Sequence, residues 1–237
     1  MPGLPTVRID PHVHSRGSYD GKAPVDLILE QASDVGLDAV VVTDHDRIEE
    51  SLRAAERAPE YGLIGVPGVE VSTADGHLLA IGVDELPQPG RPLTETVASV
   101  RALGGAAVVP HPFQRTRHGV RKSKLTDCDA VEIYNAWLFT GYRNRRARRF
   151  ARQHGYASVA GSDAHTIKTV GRASTEIAFS RDTDPENIGS EDVVAAIKNG
   201  ATAIHGRRAP VHRSAGHYLR GAGKKTSYVI ASMVPGI

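Results

Sequence analysis

The sequence predicts a single-domain α/β protein built on a largely parallel sheet, and three observations carry that expectation. Strands of the buried type, rich in Val and Ile, alternate with amphipathic helices along most of the chain. Histidines, aspartates and a glutamate recur where those strands end, on the side where parallel sheets and barrels gather their sites. A length of 237 residues buries a full core without requiring a second domain.

Residues 6–10 are short and β-branched and read as the first strand. They open into Asp10-Pro11-His12-Val13-His14-Ser15-Arg16-Gly17-Ser18-Tyr19-Asp20-Gly21, the stretch around which the chain is organised. Residues two apart on a strand point to one side, so His12 and His14 bring two imidazoles to one point, and Asp20 adds a carboxylate. Gly17 and Gly21 let the loop curl back over that point. Pro24 with apolar residues at helical spacing starts a helix that Gly36 closes. Residues 38–43 form a continuous apolar strand, covered on both faces, that ends in Asp44-His45-Asp46.

The rhythm then repeats. A helix over 49–58 precedes a strand that delivers Glu70, and 77–84 form a further strand. A helix over 94–103 leads to a strand ending at His111, and the strand at 130–135 is followed by an arginine-rich helix over 143–154. The strand from 157 ends in Asp163-Ala164-His165; a strand at 174–179, a helix at 191–199 and a short apolar strand at 201–205 complete the series. His77 begins its strand, so it falls at the far end from the others and reads as structural. Glu132 reads as a supporting or core residue.

Composition sets limits on function. Apolar content is 40% and charged content 24%, ordinary for a globular protein. No apolar run is long enough to span a bilayer, and the N-terminal residues lack a secretion signal. A single cysteine, Cys128, excludes an internal disulfide, and the expected location is the cytoplasm. The net charge of +2 conceals an asymmetry: residues 1–100 carry 7 Lys/Arg against 17 Asp/Glu, the remainder 22 against 10. Basic clusters at 115–124, 143–152 and 207–225 beside a metal site favour an anionic substrate, phosphate first.

His12-Val13-His14 with Asp20, Thr43-Asp44-His45, Gly68-Val69-Glu70, Pro110-His111-Pro112 and Gly161-Ser162-Asp163-Ala164-His165, in that order, resemble the PHP (polymerase and histidinol phosphatase) family. The resemblance implies a distorted (β/α)7 barrel over 1–210, leaving 211–237 as a basic extension. It also implies two or three divalent ions, manganese, zinc or iron. His12, His14, Glu70 and Asp163 would hold one ion, with Glu70 bridging to a second bound by His111. Asp20, His45 and His165 would hold a third.

The implied reaction is phosphoester hydrolysis by a hydroxide bridging the metals, which stand about 3.5 to 4 Å apart in such centres. Asp163, Arg16 and His205 are the residues expected to carry catalysis, His205 as one candidate proton donor to the leaving group. Arg16, Arg172 and Arg207 are the candidate phosphate contacts. The expected partner is a small phosphorylated metabolite or nucleotide, with no membrane contact. Two alternatives stand beside it: a nuclease acting on RNA or DNA ends, gripped by the arginine-rich segments, and a non-catalytic metal-binding module.

Overall fold

The structure, a computed structural model, describes residues 4–125, 127–138 and 141–206. Arg207 and the extension at 211–237 lie outside the described residues. In chain order the elements begin β1 (Thr6–Val13), α1 (Val25–Asp34), β2 (Ala39–Val42), α2 (Glu49–Arg57), β3 (Ile64–Gly65), β4 (Gly68–Thr73) and β5 (Gly76–Ile81). They continue α3 (Leu93–Ala102), β6 (Ala106–Val109), β7 (Ala130–Asn135), α4 (Gly141–His154), β8 (Ala157–Gly161), β9 (Ala173–Ala178), α5 (Ser190–Asn199) and β10 (Thr202–Gly206).

Local chemistry explains most of these bounds. In α1 the buried residues Val25, Ile28, Leu29 and Ala32 follow helical spacing behind Pro24, and Gly36 takes the left-handed conformation just past the end. In β2 all four residues, Ala39 to Val42, are buried, as the unbroken β-branched run requires. Gly200 caps α5 with a positive φ of 71°.

The strands form two five-stranded sheets, in the orders β10-β9-β1-β2-β3 and β4-β5-β6-β7-β8. The expectation of one parallel (β/α)7 barrel is therefore corrected. Strand β5 is antiparallel to both neighbours, and β9 is antiparallel to β1 and β10. The cause is visible in the connection: Thr73 pairs with Gly76, so only Ala74 and Asp75 separate β4 from β5. A parallel crossover needs about a dozen residues or more. Two isolated parallel bridges, Val13 to Ala164 and His45 to Glu70, join the sheets at the carboxyl ends of β1 and β2. These are single bridges, not the continuous ladder of a closed barrel.

Between the sheets lies a core of Ile9, Val41, Leu79, Ile81, Val108, Val159 and Ile177, closed by Val193 and Ile197 of α5. Burying each such side chain contributes on the order of 1.5 to 3 kcal/mol. That rigid floor fixes where the polar residues at the strand ends can stand. Among the described residues no helix is long and apolar enough to cross a membrane.

Candidate metal centre

Four donor atoms from three distant segments converge first. His12 Nε2 and His14 Nε2 are 3.2 Å apart, and each is 3.2 Å from Glu70 Oε2. Asp163 Oδ1 completes the group at 3.7 and 3.5 Å from the same two nitrogens. Ligands at about 2.1 Å from a tetrahedral ion stand roughly 3.4 Å from one another, so these separations match a shared cation. The i, i+2 reading of His12 and His14 thus holds, and both are buried.

The other oxygen of Glu70 faces a second group. Glu70 Oε1 lies 3.1 Å from His111 Nε2 and 2.8 Å from His77 Nδ1. A third group gathers around Asp20, whose Oδ2 is 2.9 Å from His165 Nε2 and 3.5 Å from His45 Nε2. Every metal-ligand candidate named from sequence is therefore brought to this one region. His77, expected at the far end of its strand from the others, stands with them beside Glu70. It begins β5, but β5 runs antiparallel to β4, and Ser72 pairs with His77. The start of one strand therefore stands beside the carboxyl end of the other.

Backbone and neighbouring side chains hold the donors in place. Glu132 Oε1 is 3.1 Å from His12 Nδ1, while its Oε2 accepts from the His111 backbone N–H at 2.8 Å and from Asn135 Nδ2 at 2.8 Å. A carboxylate on Nδ1 fixes the tautomer that turns the Nε2 lone pair toward the cluster. Asn135 also donates to Asp163 Oδ2 at 2.9 Å. Asp163 and His111 adopt positive φ values of 53° and 29°, conformations costing on the order of 1 to 3 kcal/mol that functional sites tolerate. In the loop after β1, a Cβ on Gly17 would meet the Asp44 carboxylate and one on Gly21 the Ser15 carbonyl.

The electrostatics fit cations. Buried Glu70, Glu132 and Asp163, with Asp20 beside them, place several carboxylates in one water-poor volume. Burial works against ionisation of Asp163, yet Arg117 and His12 hold it well below the usual carboxylate range. Glu70 is likewise held down, against its burial, by His45, His77 and His12. His111 and His165 are pushed below the ordinary imidazole value, first by burial, which leaves their rings neutral and able to ligate. His14 goes the other way: its burial is outweighed by Asp163 and Glu70, which raise it to about 10. Protons and metal ions therefore compete for that nitrogen. The buried Nδ1 atoms of His14 and His111 have no hydrogen-bond partner among the described residues, so Nε2 is the atom each ring offers to the group.

The phosphate contacts expected from sequence fare differently. Arg16 is exposed, with Nε 3.6 Å from Glu50 Oε1, and its guanidinium pairs with α2 instead of the donor cluster. His205 lies on the solvent side of β10, its Nε2 3.2 Å from Glu176 Oε2, so it is not brought to the cluster either. Arg172 donates from Nε to the Lys168 carbonyl at 3.4 Å. The arginine that does reach the cluster is Arg117: Nη1 donates to Asp163 Oδ2, and Nη2 to Asp163 Oδ1 at 3.0 Å. In the sequence it is one of several basic residues at 115–124, and nothing local distinguishes it.

Beside the cluster opens a cavity of about 640 Å³, walled in part by Tyr19, Thr73, His77, His118, Arg121 and Lys124. The Tyr19 ring stacks on His45, the His118 ring on His77 and the Trp137 ring on His165, with centroids 4.8, 5.2 and 5.3 Å apart.

Fold and site together define a mixed α/β protein whose histidines and carboxylates, gathered at the ends of its strands, form groups that could hold metal ions. Residues 141–202 match the PHP-associated family. An uncharacterized protein of Methanocaldococcus jannaschii is 29% identical over 153 residues, 60% of this chain and 89% of that one. The phosphoribosyl 1,2-cyclic phosphate 1,2-diphosphodiesterase of Eggerthella lenta is 37% identical over 82 residues, 32% of this chain and 31% of the enzyme. A two-domain protein from Bacteroides vulgatus, described as containing a predicted PHP-like metal-dependent phosphoesterase, shares the fold. Its TM-score is 0.69 at 19% identity, covering 87% of this chain and 67% of that chain. The chain is thus similar to PHP-family proteins, in sequence over 141–202 and in fold over most of its length.

Proposed function

We propose that the chain hydrolyses a phosphate ester of a small metabolite or nucleotide at this centre. The observation that carries the reading is the division of Glu70. Its Oε2 faces His12 and His14 and its Oε1 faces His77 and His111, the posture of a carboxylate shared by two cations. His12, His14, Asp163 and Glu70 would hold one divalent ion, and Glu70, His77 and His111 a second. Asp20, His45 and His165 would hold a third. Manganese, zinc and iron all suit imidazole with carboxylate. Bound there, such ions supply the Lewis acidity that makes water nucleophilic at neutral pH and offsets phosphoryl charge.

The chain's own groups do the rest. Glu132 keeps the His12 ring oriented, and Asn135 steadies Asp163. Arg117 stands against Asp163 with a planar guanidinium suited to two phosphoryl oxygens. Rings of Tyr19 and Trp137 cover His45 and His165 and limit access of water. The adjoining cavity is large enough for the leaving group of a small ester, and its Arg121 and Lys124 favour an anionic one. The one thiol, Cys128, is buried in the apolar core beside Val131, so it has no part as a nucleophile.

Metal analysis of the purified protein, combined with a panel of phosphate monoesters and diesters, tests this directly. Asp163→Asn, chosen because Asn tolerates positive φ, should abolish hydrolysis and lower bound metal while circular dichroism stays that of the folded protein. Unchanged turnover in that variant would reject the site.

A further inference from the structure

We propose that the exposed face of α4 is a docking surface for a single-stranded nucleic acid, in which Tyr142 stacks on a base and Arg145, Arg149 and Arg152 take backbone phosphates. This does not depend on the hydrolytic reading, because it concerns binding alone.

The face is built at a cost to the helix. Helix α4 carries six arginines and no acidic residue. Two of the arginines are engaged with the body of the protein: Arg143 donates to the Phe113 carbonyl, and Arg146 lies over the Phe113 ring at 4.7 Å. The other four, Arg145, Arg148, Arg149 and Arg152, are exposed and make no ion pair or hydrogen bond with any described residue. They stand three and four positions apart, where like charges repel and weaken the helix. Other arginines are matched, Arg53 and Arg57 with Asp26 and Arg101 with Asp127 and Asp129, whereas the exposed Arg47, Arg121 and Arg181 are separate single positions and form no row. Only the last-turn position of Arg152 gains from the helix dipole. An unmatched row of this kind is compensated when a polyanion covers it.

The arrangement selects among polyanions. Asn144, Ala147, Phe150 and Ala151 bury the opposite side of α4, which fixes the stripe of Tyr142, Arg145, Arg149 and Arg152 toward solvent. At 1.5 Å per residue the stripe is about 15 Å long. Its one aromatic, exposed Tyr142, sits at the end nearest the metal centre: Asn144 bonds Asn135, which in turn bonds Asp163. A stacking ring followed by a track of cations is how sequence-tolerant single-strand binders hold their ligand, since every base offers a π face and every nucleotide a phosphate. The stripe offers no aliphatic side chain that would insert into a lipid surface.

The test is fluorescence anisotropy of the full chain with labelled oligo-U and oligo-dT of about 12 nucleotides, a length within the usual range of single-strand sites. Three phosphate contacts predict a log–log salt slope of about −2. The triple variant Arg145→Gln, Arg149→Gln, Arg152→Gln should bring the slope close to zero and weaken binding at least about tenfold at low salt. Its Tm should equal or exceed that of the parent chain, because the repulsion is gone and Gln is a good helix former. Tyr142→Ala should weaken binding roughly fivefold or more at every salt concentration without changing the slope. Absence of salt-dependent binding by the parent chain would overturn the proposal. So would unchanged binding in the folded triple variant, or retention on anionic vesicles or poly-glutamate with none on the oligonucleotides.

Discussion

The Glu70 carboxylate and the His77 imidazole lie 2.8 Å apart on neighbouring strands that run in opposite directions. That contact turns a residue at the beginning of β5 into a member of the donor cluster. It also gives Glu70 Oε1 two imidazole neighbours where the sequence motifs supplied one. His77→Ala should therefore lower metal content and weaken affinity of the remaining centre by about 10- to 100-fold, the range found when a ligand or its support is removed. Competition titration against a chelator measures this. Wild-type metal content in the variant would remove His77 from the set.

Arg117 and Arg16 make opposed predictions. Arg117 spans both oxygens of Asp163, whereas Arg16 is exposed beside Glu50, a contact of the kind that contributes about 0 to 1 kcal/mol. Arg117→Ala should cut kcat/KM on a phosphoester by roughly tenfold or more, as expected for a charged contact of about 1.5 to 3 kcal/mol. Arg16→Ala should stay within about twofold of the parent chain. The reverse pattern would return the phosphate role to Arg16.

Cys128 offers a pH test outside the donor cluster. Burial first, then Asp129 and Asp127, pushes its thiol from an ordinary value of 9.0 up to about 12. Because the folded value is the higher one, its contribution to stability is complete below pH 9 and is lost as pH rises toward 12. The native protein should resist alkylation at about pH 8 and react once unfolded, since the thiolate is the nucleophile. Rapid labelling of the native chain would show that the thiol is accessible.

Within the site, what the sequence made legible was chemistry that is local in the chain. His12 and His14 are two apart on one strand, and Asp163 and His165 share a strand end; period-2 geometry alone predicts that each pair works together. Arg16 shows the limit of such local reasoning: adjacency to the motif suggests contact with the cluster, but its side chain is exposed beside Glu50. His77 was misplaced because β5 was expected to be parallel, although the two-residue link Ala74-Asp75 requires a hairpin.

The residue types at the strand ends, the alternation of strand and helix, and the burial of β2 followed from the amino-acid order, since each depends on propensity and periodicity over a few neighbours. Which oxygen of Glu70 faces which imidazole, that Arg117 and not Arg16 reaches Asp163, and that two sheets meet through single bridges were decided only in three dimensions. Those contacts join residues dozens of positions apart, and their geometry is set by the packing of Ile9, Leu79 and Ile177 beneath them.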